Sequence, residues 1–183
     1  MTKWMLLGLL SFVAGGCSTY AADRYSVSPD NVAAVKQAVA AKPGTKIAVS
    51  PFTAAEPGHT EFDCRLVGPV KTPDGQSFEA YIRKALVDEL QIADAYSENG
   101  GATMGGDLKS IDMDSFAGTW TIVLAVSSNS GASYTVTEVF KYESSFFAEA
   151  ACQQGSQALQ PAVQDLIKKV VTHPDFQKII VTS

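Results

Sequence analysis

Three cysteines are the residues of this chain best suited to covalent chemistry, and their positions divide them between two tasks. Cys17 follows the small residues Ala14-Gly15-Gly16, and its thiol is the strongest nucleophile in that region. Cys64 and Cys152 form an even remainder, which in an exported chain reads first as a disulfide. Two buried free thiols, or a redox or metal role, are the other readings of that pair. A bridge over so long a stretch would remove ~4.5 kcal/mol of unfolded-state freedom by the loop-entropy model. Other chemistry is sparse. His59 and His173 stand far apart with no Cys or Asp at ligand spacing, so no metal and no cofactor are expected. Asp112 and Asp114 would share one side of a strand without a companion base. No Gly-x-Ser-x-Gly elbow occurs, and neither Gly100-Gly101 nor Gly105-Gly106 leads into Gly-Lys-Ser/Thr, which excludes the usual nucleophile and phosphate loops. A non-enzymatic protein is the expectation.

The residues before Cys17 explain its setting. Lys3 supplies positive charge, and the apolar stretch Trp4 to Val13 is far shorter than the ~20 residues of a membrane-spanning helix, so it reads as a signal segment. Ala14-Gly15-Gly16-Cys17 resembles the lipobox of bacterial lipoproteins, with Ala14 where Leu is usual. The resemblance implies cleavage before Cys17, lipidation of Cys17 and membrane attachment through its acyl chains, which becomes stable once two chains are present. Ser18, rather than Asp, at the second mature position resembles the sorting pattern for the outer membrane, facing the periplasm. The competing reading is an ordinary secretory peptide cut near Ala21-Ala22; the same leader would also suit a Gram-positive envelope. The chain thus divides into a signal peptide (1–16), an acylated cysteine with a short tether (17–28), and one periplasmic domain (29–183). Even fully extended, the small polar stretch Ser18 to Ser28 would reach only ~35–40 Å, so the domain must sit near the membrane.

Composition limits the partners. Hydrophobic residues make up 46% of the 183 and charged residues 18%, enough for one packed core. Fourteen Lys and Arg against 19 Asp and Glu leave a net charge of −5, with no basic run longer than Lys168-Lys169. A nucleic-acid partner is excluded, since phosphate binding needs a basic stripe. Nothing in the composition bears on oligomeric state.

The elements follow from periodicity. Ser28-Pro29 predicts an N-cap and first turn, with Val32, Val35, Ala38 and Val39 carrying a helix to Ala41 before Pro43-Gly44. Lys46 to Ser50 and Phe62 to Leu66 read as strands flanking a loop from Thr53 to Thr60. Phe78, Tyr81, Ile82, Ala85, Leu86, Glu89 and Leu90 trace an amphipathic helix. Leu108 and Ile111 lie out of phase within a strand to Asp114, which predicts a bulge or an edge. Trp120, Ile122, Leu124 and Val126 alternate cleanly, and Asn129-Ser130-Gly131 turns into Ser133 to Tyr142. A helical stripe closes the chain from Phe146 to Val171, kinked or divided at Pro161, before a terminal piece packs Phe176, Ile179 and Ile180 on the core.

This order predicts an α+β fold, a mostly antiparallel sheet with helices packed on one face. Lys46 to Ser50, Phe78 to Leu90 and Trp120 to Lys141 together resemble small periplasmic lipoprotein modules of the TolB N-terminal type. The expected function is that of an outer-membrane-anchored accessory or interaction module of the cell envelope, docking an envelope protein partner. The alternative is a lipid-binding or small apolar-ligand-binding auxiliary component of an envelope transport system, with Trp120, Tyr134, Phe140 and Tyr142 as the ligand or partner face. The same aromatic row can equally be core beneath the helices.

Overall fold

A computed structural model of the protein describes residues 18–180. Cys17, the leader and Val181 lie outside the described residues. The elements are β1 (Tyr20–Ala21), α1 (Pro29–Ala40), β2 (Ile47–Val49), β3 (Thr53–Ala54), β4 (Glu61–Cys64), β5 (Gly68–Lys71), α2 (Phe78–Ile92), β6 (Ala102–Asp114), β7 (Thr119–Ser128), β8 (Ser133–Lys141), α3 (Ala148–Thr172) and α4 (Phe176–Ile179). The fold is α+β, with helices packed against two mixed sheets.

Local chemistry sets the helix starts. Ser28 Oγ accepts from the Asn31 amide at 3.5 Å and Pro29 opens α1, while Ser77 Oγ accepts from the Ala80 amide at 3.4 Å at the head of α2. All seven residues of the α2 stripe are buried, Glu89 among them. Continuous through Pro161, α3 runs 25 residues, neither divided nor restarted there. Its inner face carries Ala151, Cys152, Gly155, Ala158 and Ala162, small side chains that let the backbone approach the sheet. At Gly155 the approach is tight: a Cβ there would stand 3.0 Å from Tyr142 Oη and 3.1 Å from Met113 Sδ.

The larger sheet runs β2-β6-β7-β8, with β3 also on β6. The expected meander of β6, β7 and β8 is antiparallel, but β2 and β3 pair with β6 in parallel, so the sheet is mixed. The register of β6 shifts between Leu108 and Ser110, placing Leu108 opposite Leu124 and Ile111 opposite Ile122. One extra residue thus lets two apolar side chains of opposite phase meet the same buried row. Beyond Leu108 the β3 pairing ends, so the second half of β6 is also an edge. Trp120, Ile122, Leu124 and Val126 are buried, whereas Thr121, Val123, Ala125 and Ser127 face away from the core. The loop expected from Thr53 to Thr60 contains β3, a two-residue strand too short to show periodicity.

A second sheet, ordered β1-β5-β4, departs from the sequence reading. β5 was not expected, because Gly68 and Pro69 are poor strand formers. The region 17–28 was expected to be a tether, yet residues 18–28 are docked on the domain, beginning with β1 in parallel register on β5. Backbone pairing and a few buried side chains outweigh the polar composition there.

Candidate functional site

The docked N-terminal segment defines one end of the molecule. Tyr20 and Ala22 are buried, and the Ala22 amide donates to Lys71 O at 2.8 Å. Farther along, Arg24 grips Asp74 with two hydrogen bonds of 2.9 and 2.7 Å, which hold the Asp74 carboxyl below its usual range. Tyr81 Oη donates to Asp23 O, and Gln160 and Gln164 of α3 each donate to Ser26 at 2.8 Å. Glu89 is the buried receiver at the end of this path. Its Oε1 accepts from Tyr25 Oη at 2.5 Å, the Ser28 amide at 2.8 Å and Asn31 Nδ2 at 3.4 Å. Burial first, then the bond to Glu89, pushes the Tyr25 hydroxyl far above its ordinary pKa.

Glycine is required where this segment starts. Gly68 has φ +141°, and a Cβ there would lie 1.9 Å from Ser18 O. Ser18 therefore rests on the backbone of Gly68, immediately after the β4–β5 turn. In that turn Arg65 and Leu66 both adopt positive φ, 45° and 61°.

Arg65 organises the rest of this end. Its guanidinium donates to Ser115 O at 2.5 Å, Ser115 Oγ at 3.2 Å, Ser144 Oγ at 3.3 Å, Ser145 O at 3.0 Å and Phe146 O at 3.2 Å. It also lies 4.3 Å from the centre of the Phe116 ring. One side chain thus ties the β4–β5 turn to the β6–β7 and β8–α3 loops, using the planar fork that only arginine offers. The adjacent Cys64 is bonded to Cys152 in the second turn of α3, which makes the expected disulfide a covalent staple of the same end. Four large apolar side chains project from this frame: Leu66, Phe116, Phe146 and Phe147 are 103, 80, 93 and 73% exposed. Sequence reasoning missed them. Phe116 tops a Ser-x-Ala-Gly turn, and the pair Phe146-Phe147, expected to open the closing helix, stands before it, since α3 begins at Ala148.

The expected aromatic face is split. Trp120 is fully buried and donates Nε1–H to Gly155 O at 2.9 Å, while Tyr134 donates to Val170 O at 2.8 Å and stacks on His173 with ring centres 4.1 Å apart. Those two are core. Phe140 and Tyr142 line an open cleft of about 260 Å³ against Gln154, Gln157 and Pro161 of α3. A smaller cleft of about 90 Å³ lies between β3, β6 and α2, bordered by His59, Glu79 and Lys109. His59 is engaged there by the rings of Phe62 and Phe78, at 4.6 and 5.4 Å. Asp114 spends one carboxylate oxygen on the amides of Phe116 and Ala117, both at 2.8 Å, which shapes the turn. Among the described residues no three His, Cys, Asp or Glu converge to hold a metal, and no helix is long and apolar enough to cross a membrane.

No protein-family model matches the chain. No curated protein matches it either. Among solved structures, the chain is similar to the crystal structure of protein XCC0632 from Xanthomonas campestris, of the family described as DUF330. The two share 14% identity and a TM-score of 0.51 over 84% of this chain and 95% of that one, a likeness of fold that spans nearly the whole of the described domain.

Proposed function

We propose that this protein is a lipoprotein anchored to the outer membrane through acyl chains on Cys17, whose periplasmic domain is a non-enzymatic accessory module of the cell envelope. The observation that carries this reading is the seat of Ser18 on Gly68, which brings the chain to the domain surface one residue after the lipobox cysteine. A tether already spent in β1 holds the domain directly at the membrane, closer than a free arm would. The buried Cys64–Cys152 bridge suits an oxidising compartment. The test is the mass of the N-terminal peptide of the mature protein together with fractionation of cells expressing Cys17→Ser. A triacylated Cys17, and loss of the variant from the outer membrane, are expected; a mature chain starting downstream of Cys17 overturns the proposal.

A second reading, an apolar-ligand-binding auxiliary component of an envelope transport system, draws on the cleft beside Phe140 and Tyr142. Its support is narrower, because Trp120 and Tyr134 are occupied in the core. Saturable displacement of a fluorescent fatty acid, lost in Phe140→Glu, would favour it over docking.

A further inference from the structure

We infer that the apolar end formed by Leu66, Phe116, Phe146 and Phe147 enters the lipid bilayer, a second anchor that fixes how the domain stands on the membrane. This rests on the acylation of Cys17 proposed above. The first ground is placement. Ser18 O lies against Gly68, two positions from Leu66, so the first described residue, one after the lipobox cysteine, sits beside this tip. Acyl chains on Cys17 would therefore start beside the projecting side chains, and a bilayer holding those chains meets this end first.

The second ground is exposure without internal cause. Large apolar side chains left singly on a surface are ordinary, as Ile92 and Val139 are here, at 61 and 50%. Leu66, Phe116, Phe146 and Phe147 are instead gathered by one arginine onto one end, and Phe146 and Phe147 stand edge to face with centres 6.1 Å apart. A grouped apolar tip marks a contact surface. The third ground is rigidity. The Arg65 hydrogen bonds and the disulfide hold the three loops before any contact is made, so insertion needs little further ordering. The exposed carboxylates of Glu143 and Glu149 flank the phenylalanine pair and must stay hydrated, which limits entry to about the depth of a ring.

The inference gives the domain a direction. Its 13-residue strand β6 runs from Asp114 at this end to Ala102 at the other, a span of ~40 Å. The far end, where Ile92 is exposed, then points away from the membrane and is the part offered to a partner.

Mature acylated protein, reconstituted in vesicles of phosphatidylethanolamine with a minor share of phosphatidylglycerol, tests the inference with single tryptophans placed by Phe116→Trp, Phe147→Trp and, at the far end, Ile92→Trp. Buried Trp120 is a background common to all three. Lipids brominated along their chains should quench the added signal at 116 and 147 by about half or more and leave that at 92 unchanged, as expected of side chains at the headgroup–acyl boundary. Equal, weak quenching at 116, 147 and 92 in the vesicle-bound acylated protein overturns the inference. A blue-shifted but unquenched signal at 116 also overturns it, assigning the tip to a protein contact or a second copy. Acylation itself is read beforehand from the mass of the N-terminal peptide, so a chain without acyl groups overturns the anchor, while quenching in the acylated protein decides the tip, and the two readings fail separately.

Discussion

Replacing both Cys64 and Cys152 by alanine should lower the unfolding free energy of the mature protein by about 3–5 kcal/mol without changing its fold. The bridge joins positions 88 apart, and the loop-closure model gives ~4.5 kcal/mol of unfolded-state entropy at that length. Native-state strain and residual structure in the unfolded chain commonly trim such values, while loss of two buried sulfurs, 1 and 0% exposed, adds on the order of 1 kcal/mol. Against the ~5–15 kcal/mol typical of whole domains, this is a large share. Urea unfolding followed by Trp120 fluorescence measures it, because that indole is fully buried and hydrogen-bonded to Gly155 of the stapled helix. Three samples are compared: the oxidised protein, the reduced protein and the double variant. Reduced protein and double variant should agree within about 1 kcal/mol, with a steeper denaturant dependence than the oxidised form because the open chain exposes more surface. If the oxidised protein and the double variant differ by less than about 1 kcal/mol, the bridge is not acting on the unfolded state and the reasoning is refuted.

Gly68→Ala should release β1: its Cβ overlaps Ser18 O and its φ of +141° costs an L-residue about 1–3 kcal/mol, so limited proteolysis should cleave within residues 18–28 much faster than in the parent, and equal cleavage rates would count against the docked segment. Glu89→Ala leaves Tyr25, Ser28 and Asn31 donors without their acceptor in a buried site and should cost about 3–5 kcal/mol in urea unfolding, whereas Tyr25→Phe should cost only about 1–2. Alkaline stability should be lost in a defined direction. Burial raises Tyr25, Tyr81 and Tyr134, so the neutral hydroxyls favour the folded state; the resulting stability is complete below about pH 10 and falls as pH climbs beyond it. Tyrosinate absorbance should therefore rise together with unfolding, and full ionisation of all the tyrosines in a still-folded protein would contradict this. Trp120→Phe should cost about 1–3 kcal/mol through the lost bond to Gly155 O and the space left behind, read as a fall in the urea midpoint.

Amphipathic helices and regular strands were legible because their signal is local. The stripe of Phe78 to Leu90, the alternation from Trp120 to Val126 and the cap at Ser28 each state a period or a terminus within a few residues, and the structure follows them closely. Even the out-of-phase pair Leu108 and Ile111 announced its bulge. The short strands were silent. β1, β3 and β5 hold two to four residues each, too few for a period, and exist because a partner strand supplies their hydrogen bonds. The polar stretch 18–28 reads as a tether for the same reason: its affinity for the domain resides in Lys71, Asp74, Glu89, Gln160 and Gln164, none of them near it in sequence.

The sequence by itself determined the α+β composition, the lipobox-like Ala14-Gly15-Gly16-Cys17 and the even pair of remaining cysteines, since periodicity, small-residue spacing and parity are properties of the chain. Only the tertiary structure decided which aromatic side chains are core and which stand in solvent. Trp120 and Phe116 are both aromatic residues beside β-turn chemistry, yet one is sealed under α3 and the other held out by Arg65 from a turn about fifty residues earlier. Burial is a sum over neighbours distant in sequence, and so the end of the molecule that gathers Leu66, Phe116, Phe146 and Phe147 beside Ser18 exists only once the chain has folded.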